Sequence, residues 1–200
     1  MKLLETIKFE NGHFANLDLH SERMNNARKQ LFEAEGKIDL SSALSHLGSS
    51  AAFSNPVYKC RILYGLQIEK LEMLPYTFPT IESLRIISCD QVEYGFKYAD
   101  RHELDKLFAR RKNCDDILIV KDNLITDSSF CNVLFYNGKK WLTPEKPLLK
   151  GVQRQYLLDN ELVETANISV YDLHNFEKLR LVNAMISFEA AADIAVDSVF

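Results

Sequence analysis

The sequence lacks the patterns that create metal sites, disulfide frameworks and membrane spans. Its four cysteines form no Cys-x-x-Cys pair and have no histidines nearby at metal-ligand spacing; they stand at positions 60, 89, 114 and 131. We therefore expect buried free thiols and no metal. No apolar run reaches the roughly 18 residues that a bilayer span needs, and Glu5 interrupts the apolar start. These absences predict a cytoplasmic protein that is not bound to a membrane.

An excess of positive charge is also missing. The formal net charge is −4, so the chain has no general attraction to nucleic acid, and we expect no such partner. The 200 residues are 46% hydrophobic and 26% charged, which is typical of a globular chain with one large domain or two small ones. Any phosphate site must therefore be local.

The first half of the chain has the pattern of a small α+β unit. Asn11-Gly12 between two short apolar stretches predicts a hairpin. Apolar residues at helical spacing predict a helix at about 19–34, with Asp18 or Ser21 as its cap, and a second helix at 39–47. Strands are predicted at 59–64, 67–74 and 84–89.

The second half is dominated by short strands with turn-forming residues between them. A charged helix is predicted at 101–112 and another directly after Gly151. Strands are predicted at 117–121, 124–126, 132–136, 140–142, 167–171 and 179–182, followed by an alanine-rich stretch at 188–195. The change in pattern between Pro75 and Gln91 indicates a boundary, and we place the domains at 1–85 and 86–200.

Lys97 stands among aromatic and small residues, in Tyr-Gly-Phe-Lys-Tyr-Ala. A lysine that aromatic neighbours shield from water becomes nucleophilic at neutral pH and can form an imine with an aldehyde. The alternative is an ordinary surface lysine with an exposed ammonium group.

Three further positions carry polar groups suited to an anionic ligand. The predicted helix after Gly151 presents backbone N–H groups and the positive end of its dipole, although a plain helix start has the same pattern. Asp127, at a strand end, could keep a pyridine nitrogen protonated or could simply cap a turn. Arg23 lies near the apolar stripe of its helix and needs a partner, either a neighbouring carboxylate or a phosphate.

The order of these elements resembles the fold-type IV (class IV) family of pyridoxal 5′-phosphate enzymes. Leu4-Glu5-Thr6-Ile7 is similar to the family's Phe-Glu-Thr segment, and His20-x-x-Arg23 to its His-x-x-Arg. The similarity continues in the segments at 97–101, 127–135, 142–144, 149–154 and 183–185. Within the family, the Asp100-Arg101 pair and Asn183-Ala184 most resemble aminodeoxychorismate lyases.

The resemblance implies a role for each matched residue. Lys97 would carry the cofactor as a Schiff base and then act as the general base, while Arg23 would bind the cofactor phosphate. Asp127 would approach the pyridine nitrogen, although it is one carbon shorter than the family's usual glutamate. Gln153 stands where transaminases often have threonine. The remaining implied contacts to cofactor are Leu149, Val152, Gln153, Ala184 and Met185, and those to a substrate carboxylate are Arg101, Lys8 or Arg61.

The resemblance also implies the architecture and the activity. The fold would be α+β with two domains, like that of D-amino acid aminotransferase: a small N-terminal domain and a larger, barrel-like C-terminal one. The cofactor would lie in the cleft between them, and the protein would be a homodimer. The leading function is the lyase that converts 4-amino-4-deoxychorismate to 4-aminobenzoate and pyruvate for folate synthesis. The alternatives are a class IV aminotransferase for branched-chain or D-amino acids, and an inactive homologue.

Overall fold

The computed structural model describes residues 1–45, 47 and 54–200, and the chain divides into two compact units. The first unit contains Met1–Phe78 and a returning segment, Phe96–Asp100. The second contains Pro79–Gly95 and Arg101–Phe200. Both units combine sheets with a few helices, which confirms the predicted α+β class with two domains.

In its described residues, the first unit is a four-stranded antiparallel sheet with two helices. The strands follow the order β2-β1-β3-β4 across the sheet. In chain order the elements are β1 (Leu3–Glu10), β2 (His13–Phe14), α1 (Leu17–Phe32), α2 (Leu40–Leu44), β3 (Val57–Tyr64) and β4 (Ile68–Pro75).

The core of the first unit lies between one face of this sheet and α1. Alternate residues of β1 are buried, beginning with Leu3 and including Ile7, because successive side chains of a strand point to opposite faces. Met24 and Ala27 of α1 pack into the same cluster. One member of this buried face of β1 is not apolar: Glu5 is 0% exposed.

The returning segment is attached to β1 by backbone hydrogen bonds. The Leu4 N–H donates to the Lys97 carbonyl at 2.9 Å, and the Ala99 N–H donates to the Lys2 carbonyl at 3.0 Å. These bonds place Lys97 beside β1, although it is far from β1 in sequence.

The second unit contains an eight-stranded mixed sheet and two helices. Six strands follow the order β10-β9-β8-β7-β6-β5, while β11 pairs with β8 and β12. In chain order the elements are β5 (Leu84–Ser88), α3 (His102–Ala109), β6 (Asp116–Lys121), β7 (Leu124–Ser128), β8 (Asn132–Tyr136), β9 (Trp141–Pro144), α4 (Val152–Asp159), β10 (Glu164–Ala166), β11 (Lys178–Val182) and β12 (Ile194–Ala195).

Most of the predicted elements are present. The hairpin at Asn11-Gly12 is confirmed: Glu10 pairs with His13 across a two-residue turn. Both turn residues have positive φ, 52° and 82°, as a type I′ turn requires. The cysteines are confirmed as free thiols, two of them buried.

Other predictions from the pattern were wrong. The predicted strand at 167–171 is replaced by β10 and a 3-10 segment, Val170–Asn175, in which Ser169 and Asp172 form a capping box. Helix α1 begins after Asn16 in a left-handed conformation, without a side-chain cap from Asp18 or Ser21. The predicted helix at 39–47 ends at Leu44, and residue 46 lies outside the described residues.

The division of the chain also differs from the expected boundary at residue 85. That position falls inside β5, which pairs in parallel with β6, so this whole strand belongs to the second unit. In the described parts of the chain, no helix is long and apolar enough to cross a membrane. The same residues contain no group of three histidine, cysteine, aspartate or glutamate side chains that could hold a metal ion.

Asp116, at the start of β6, is a buried carboxyl group with few hydrogen bonds to offset the cost of its burial. It is 0% exposed, and neither oxygen accepts a hydrogen bond of ordinary geometry within the described residues. Burial raises the pKa of Asp116, and the nearby Ser128 and Ser129 hydroxyls only partly oppose this. A raised native pKa means that the folded state holds this proton more strongly than the unfolded state. Its contribution to stability is therefore complete below the ordinary pKa and is lost as pH rises.

We predict that Asp116→Leu, which keeps the shape but removes both oxygens, increases the free energy of unfolding at pH 8 by about 1–3 kcal/mol. The gain should be smaller at pH 4, because a raised pKa increases the protonated share of Asp116 as the pH falls. Urea denaturation at the two pH values measures this. Asp115→Ala is the control: the Asp115 carboxylate accepts N–H bonds from Glu82 and Ser83, so its loss should destabilise. A destabilised Asp116→Leu variant at both pH values would contradict the prediction.

Candidate functional site

A cluster of charged side chains lies in the first unit where β1 meets α1. Glu5 projects from the buried face of β1, and His20 and Arg23 lie one turn apart on α1. Arg23 donates two hydrogen bonds to the Glu5 carboxylate, from Nε to Oε1 at 2.9 Å and from Nη2 to Oε2 at 2.5 Å. His20 Nδ1 lies 2.6 Å from Oε2. Of the two partners expected for Arg23, the structure therefore shows the carboxylate directly.

Charge and burial act in opposite directions on this cluster. Burial alone would raise the pKa of Glu5, but the charge of Arg23 and the bond to His20 outweigh it and hold that pKa at about 2. Burial lowers the pKa of His20, against the opposing effect of Glu5. We assign a neutral imidazole at pH 7 that donates its Nδ1 proton to the ionised Glu5.

Lys97 belongs to the same cluster through the pairing of its backbone with β1. Its charge contributes to the lowered pKa of His20, together with that of Arg23. Phe96 and Tyr98 flank it, pack against the core of the first unit, and meet edge to face at 6.1 Å. Lys97 itself is half-buried.

A second polar cluster, in the second unit, joins three chain segments around Asp127. Asn132, at the start of β8, donates its amide Nδ2 to Asp127 Oδ1 at 2.7 Å and to the Leu149 carbonyl at 2.9 Å. The Leu149 N–H donates to Asp127 Oδ2 at 2.9 Å. These three bonds attach the loop before α4 to β7 and β8.

Asp127 is only 5% exposed. Burial raises the pKa of Asp127 to about 7, although the Leu149 N–H, Asn132 and the charge of Arg154 all oppose the rise. Arg154 is itself buried and donates Nη2 to the Pro144 carbonyl at 2.8 Å. A carboxyl that titrates near neutrality is suited to exchanging a proton with a bound ring nitrogen.

Helix α4 presents its N-terminus at this second cluster. Gly151 precedes the helix and offers no side-chain cap, and the first N–H groups of a helix have no partner within it. A Cβ on Gly151 would lie 2.0 Å from Asn132 Oδ1, so a side chain does not fit there. Val152 and Gln153 follow and are buried.

The loop at 183–186 lies at the same end of the sheet, because Val182 of β11 pairs with Asn132. Asn183 shapes it: the Oδ1 atom accepts N–H bonds from Met185 at 2.8 Å and Ile186 at 3.0 Å. Its Nδ2 lies 3.1 Å from Cys131 Sγ. The predicted contacts Ala184 and Met185 are therefore held in a defined turn.

Two of the three predicted substrate contacts, Arg101 and Lys8, lie in different surroundings. Arg101 donates Nη2 to the Ser129 carbonyl at 2.8 Å, which brings it near Asp127 in the second unit. Lys8 lies on the face of β1 opposite to Glu5 and pairs with Glu10 at 2.8 Å. Within the first unit, Lys8 therefore lies on the other side of the sheet from the cluster that contains Arg23.

Sequence reasoning missed three side chains of these clusters. Glu5 and Asn132 were matched only as parts of motifs, without a structural role, and Arg154 was given no role. For Glu5 a signal existed, since a charged residue at an alternate, otherwise apolar position of a strand needs a buried partner.

The sequence profile of the family described as amino-transferase class IV matches residues 2–190. An uncharacterized protein of Haemophilus influenzae is 33% identical over 183 residues, which is 92% of this chain and 97% of the relative.

Solved structures share the fold. A proposed 4-amino-4-deoxychorismate lyase from Haemophilus somnus has 31% identity and a TM-score of 0.86, covering 94% of this chain and 97% of the other. A proposed amino-acid aminotransferase from Mesorhizobium loti has 20% identity and a TM-score of 0.78, covering 100% and 99%. A hypothetical aminotransferase from Mycobacterium tuberculosis in its PLP-bound form has 16% identity and a TM-score of 0.78, covering 96% and 80%.

We predict that Gly151→Ala lowers the free energy of unfolding by about 1–3 kcal/mol, since the new methyl group collides with Asn132. Gly36→Ala is the matched control, because a Cβ there meets nothing within 4 Å, and it should change stability by less than about 1 kcal/mol. In an Asn132→Ala background the cost of Gly151→Ala should fall, which a double-mutant cycle in urea measures. Equal costs in both backgrounds would refute the collision.

A second prediction follows from Asp127. Its native pKa of about 7 lies above the ordinary value of 3.8, so stability from this group is complete below the ordinary value and is lost as pH rises to about 7. The loss amounts to roughly 4 kcal/mol at 1.36 kcal/mol per pKa unit. Asp127→Asn should remove this part of the pH dependence. Denaturation curves between pH 4 and 9 test it, and parallel profiles for the two proteins would disprove it.

Proposed function

The chain belongs to the amino-transferase class IV family, whose members depend on pyridoxal phosphate, and from this premise we propose that it is an aminodeoxychorismate lyase. The reaction would split 4-amino-4-deoxychorismate into 4-aminobenzoate and pyruvate. The observation that supports the proposal is the attachment of the Lys97 backbone to β1, together with the effect of the Lys97 charge on His20, which the charge of Arg23 also influences.

The residues present fit the cofactor. Lys97 is half-buried and has aromatic residues on both sides in the chain, Phe96 and Tyr98, which suits an imine-forming amine. The first residues of α4, directly after Gly151, present backbone N–H groups that a phosphate can approach closely. Pyridoxal phosphate, when bound, supplies an aldehyde for a lysine amine and a ring that withdraws electrons from the reacting carbon.

Each side chain then has a separate task. Lys97 holds the cofactor and later removes the proton from the carbon that bears the substrate amine. Arg23 would bind the phosphate, as would the backbone N–H groups of Val152 and Gln153, and Leu149 would pack beside the ring. Ala184 and Met185 line the phosphate and substrate loop.

Asp127 would face the ring nitrogen. Its oxygens already accept bonds from Asn132 and Leu149, but a carboxylate has about four acceptor positions, so a third bond is compatible with both. Because its pKa is about 7, a cationic ring nitrogen beside it would readily shift it to the ionised form.

The lyase chemistry is balanced without any co-reactant. The carbon would lose a proton to Lys97, the bond from the ring to the ether oxygen would break, the ring would become aromatic, and the leaving enolate would take up the proton from Lys97 to give pyruvate. Arg101, near Asp127, is the side chain we assign to a substrate carboxylate, and Lys8 is a second candidate. The 31% identity to the Haemophilus somnus protein supports the lyase. A homodimer and a cytoplasmic location are further parts of this proposal.

We predict that the purified protein with pyridoxal phosphate shows a yellow adduct that borohydride fixes to the chain, and that Lys97→Ala abolishes it. Lys106→Ala is the control, since Lys106 is an exposed helix residue paired with Glu103. Absorbance and mass spectrometry of the reduced protein locate the label. An adduct retained in Lys97→Ala, or none in the wild type, would overturn the cofactor role of Lys97.

The substrate is tested separately by measuring pyruvate release from 4-amino-4-deoxychorismate. Release that depends on Lys97 supports the lyase. Amino transfer from a branched-chain or D-amino acid to a keto acid, without pyruvate release, would instead identify an aminotransferase. A protein that does neither and forms no adduct is an inactive homologue.

A further inference from the structure

We propose that Glu5 is a positioning residue that fixes the guanidinium of Arg23 in the orientation that receives the cofactor phosphate, with His20 bracing the carboxylate. This inference rests on the proposed function, in which Arg23 binds that phosphate. Nothing in the proposed chemistry itself requires Glu5 to touch cofactor or substrate.

The position of Glu5 is difficult to explain by stability alone. It lies on the buried face of β1 between Leu3 and Ile7, which are both fully buried. An apolar side chain at this position would extend the core, whereas a buried ion pair is often no better for stability than well-packed apolar residues. We therefore look for the reason for a carboxylate at position 5 in its effect on Arg23 and His20.

The geometry of the contact fixes orientation as well as distance. Two parallel bonds from Nε and Nη2 of Arg23 reach the two different oxygens of Glu5. Such a bidentate contact holds the guanidinium plane, because rotation about the last side-chain bonds breaks at least one of the two. A single bond would leave the plane free to turn.

His20 stabilises the carboxylate from a second side. Its Nδ1 atom lies 2.6 Å from Oε2, the oxygen that also accepts the Nη2 bond of Arg23. His20 and Arg23 are three residues apart on α1, and Glu5 comes from β1, so a strand and a helix jointly define the plane. Arg23 keeps 18% of its side chain exposed, which leaves a surface for a ligand.

Simple electrostatics and positioning predict opposite effects of removing the charge of Glu5. The charges described for this cluster are those of the Glu5 carboxylate and of the cations Arg23 and Lys97, beside a neutral His20. Without the negative charge, attraction for a phosphate would increase by Coulomb's law alone. If Glu5 acts by holding Arg23 in place, its loss instead weakens phosphate binding. The sign of the change therefore identifies the role.

The test compares the dissociation constants of pyridoxal phosphate and of pyridoxal, which lacks the phosphate, for the full-length protein. We expect Glu5→Gln to weaken pyridoxal phosphate binding about tenfold to a hundredfold, as loss of an orienting partner typically does. Pyridoxal binding should change by less than about twofold. Adding Glu5→Gln to Arg23→Lys should cost little more, because both act on one contact. In addition, the ³¹P resonance of the bound cofactor should move toward that of the free cofactor.

His20 provides a second route if Glu5→Gln folds poorly. The amide nitrogen of Asn lies near the position of Nδ1, so His20→Asn should retain the bond to Glu5 and the affinity. His20→Gln should lose both.

Two results would overturn the inference and are distinguishable. If Arg23→Lys weakens pyridoxal phosphate binding but Glu5→Gln leaves it equal or tighter, Glu5 has no positioning role while the proposed function stands. If Arg23→Lys has no effect either, the phosphate role of Arg23 is itself wrong.

Discussion

The ionised carboxylate of Glu5 inside the first unit constrains how β1 and α1 are arranged. A charge that is 0% exposed is very costly unless it is paired and hydrogen-bonded. Both helical partners, His20 and Arg23, reach it only when the first turns of α1 lie over the N-terminal half of β1. The same strand holds Lys97 through its backbone. The pairing of one carboxylate thus fixes where α1, which carries Arg23, lies on the strand that also holds the Lys97 backbone.

At Asp127 the balance between burial and neighbouring charges has the opposite outcome from that at Glu5. Its partners are the neutral donors Asn132 and the Leu149 N–H, and the charge of Arg154 is not enough to offset burial. The pKa of Asp127 therefore rises to about 7, whereas that of Glu5 falls to about 2. A carboxyl that stays ionised is suited to binding a cationic side chain in a fixed position. A carboxyl that titrates near neutrality can change its ionisation in response to the charge of a ligand.

The Asp127 cluster also fixes the position of the loop that precedes α4. Asn132 links β7 to the Leu149 carbonyl, and the absence of a side chain at Gly151 lets this amide lie against the start of α4. The helix N–H groups are thereby positioned by a buried hydrogen-bond network and not by a flexible connection. The turn shaped by Asn183 lies at the same end of the sheet, since β11 pairs with β8.

By itself, the sequence determined local structure and the identity of the family. Periodicity and turn residues predicted α1, the Asn11-Gly12 hairpin and most strands, because side-chain spacing and φ preferences are local properties. It failed at 167–171, where a capping box replaced a strand. Only the tertiary structure decided that Glu5 is the partner of Arg23 and that Lys97 lies beside β1. It also decided that Asn132 requires glycine at position 151. These contacts join residues far apart in sequence, and their energies depend on burial, which no local pattern contains.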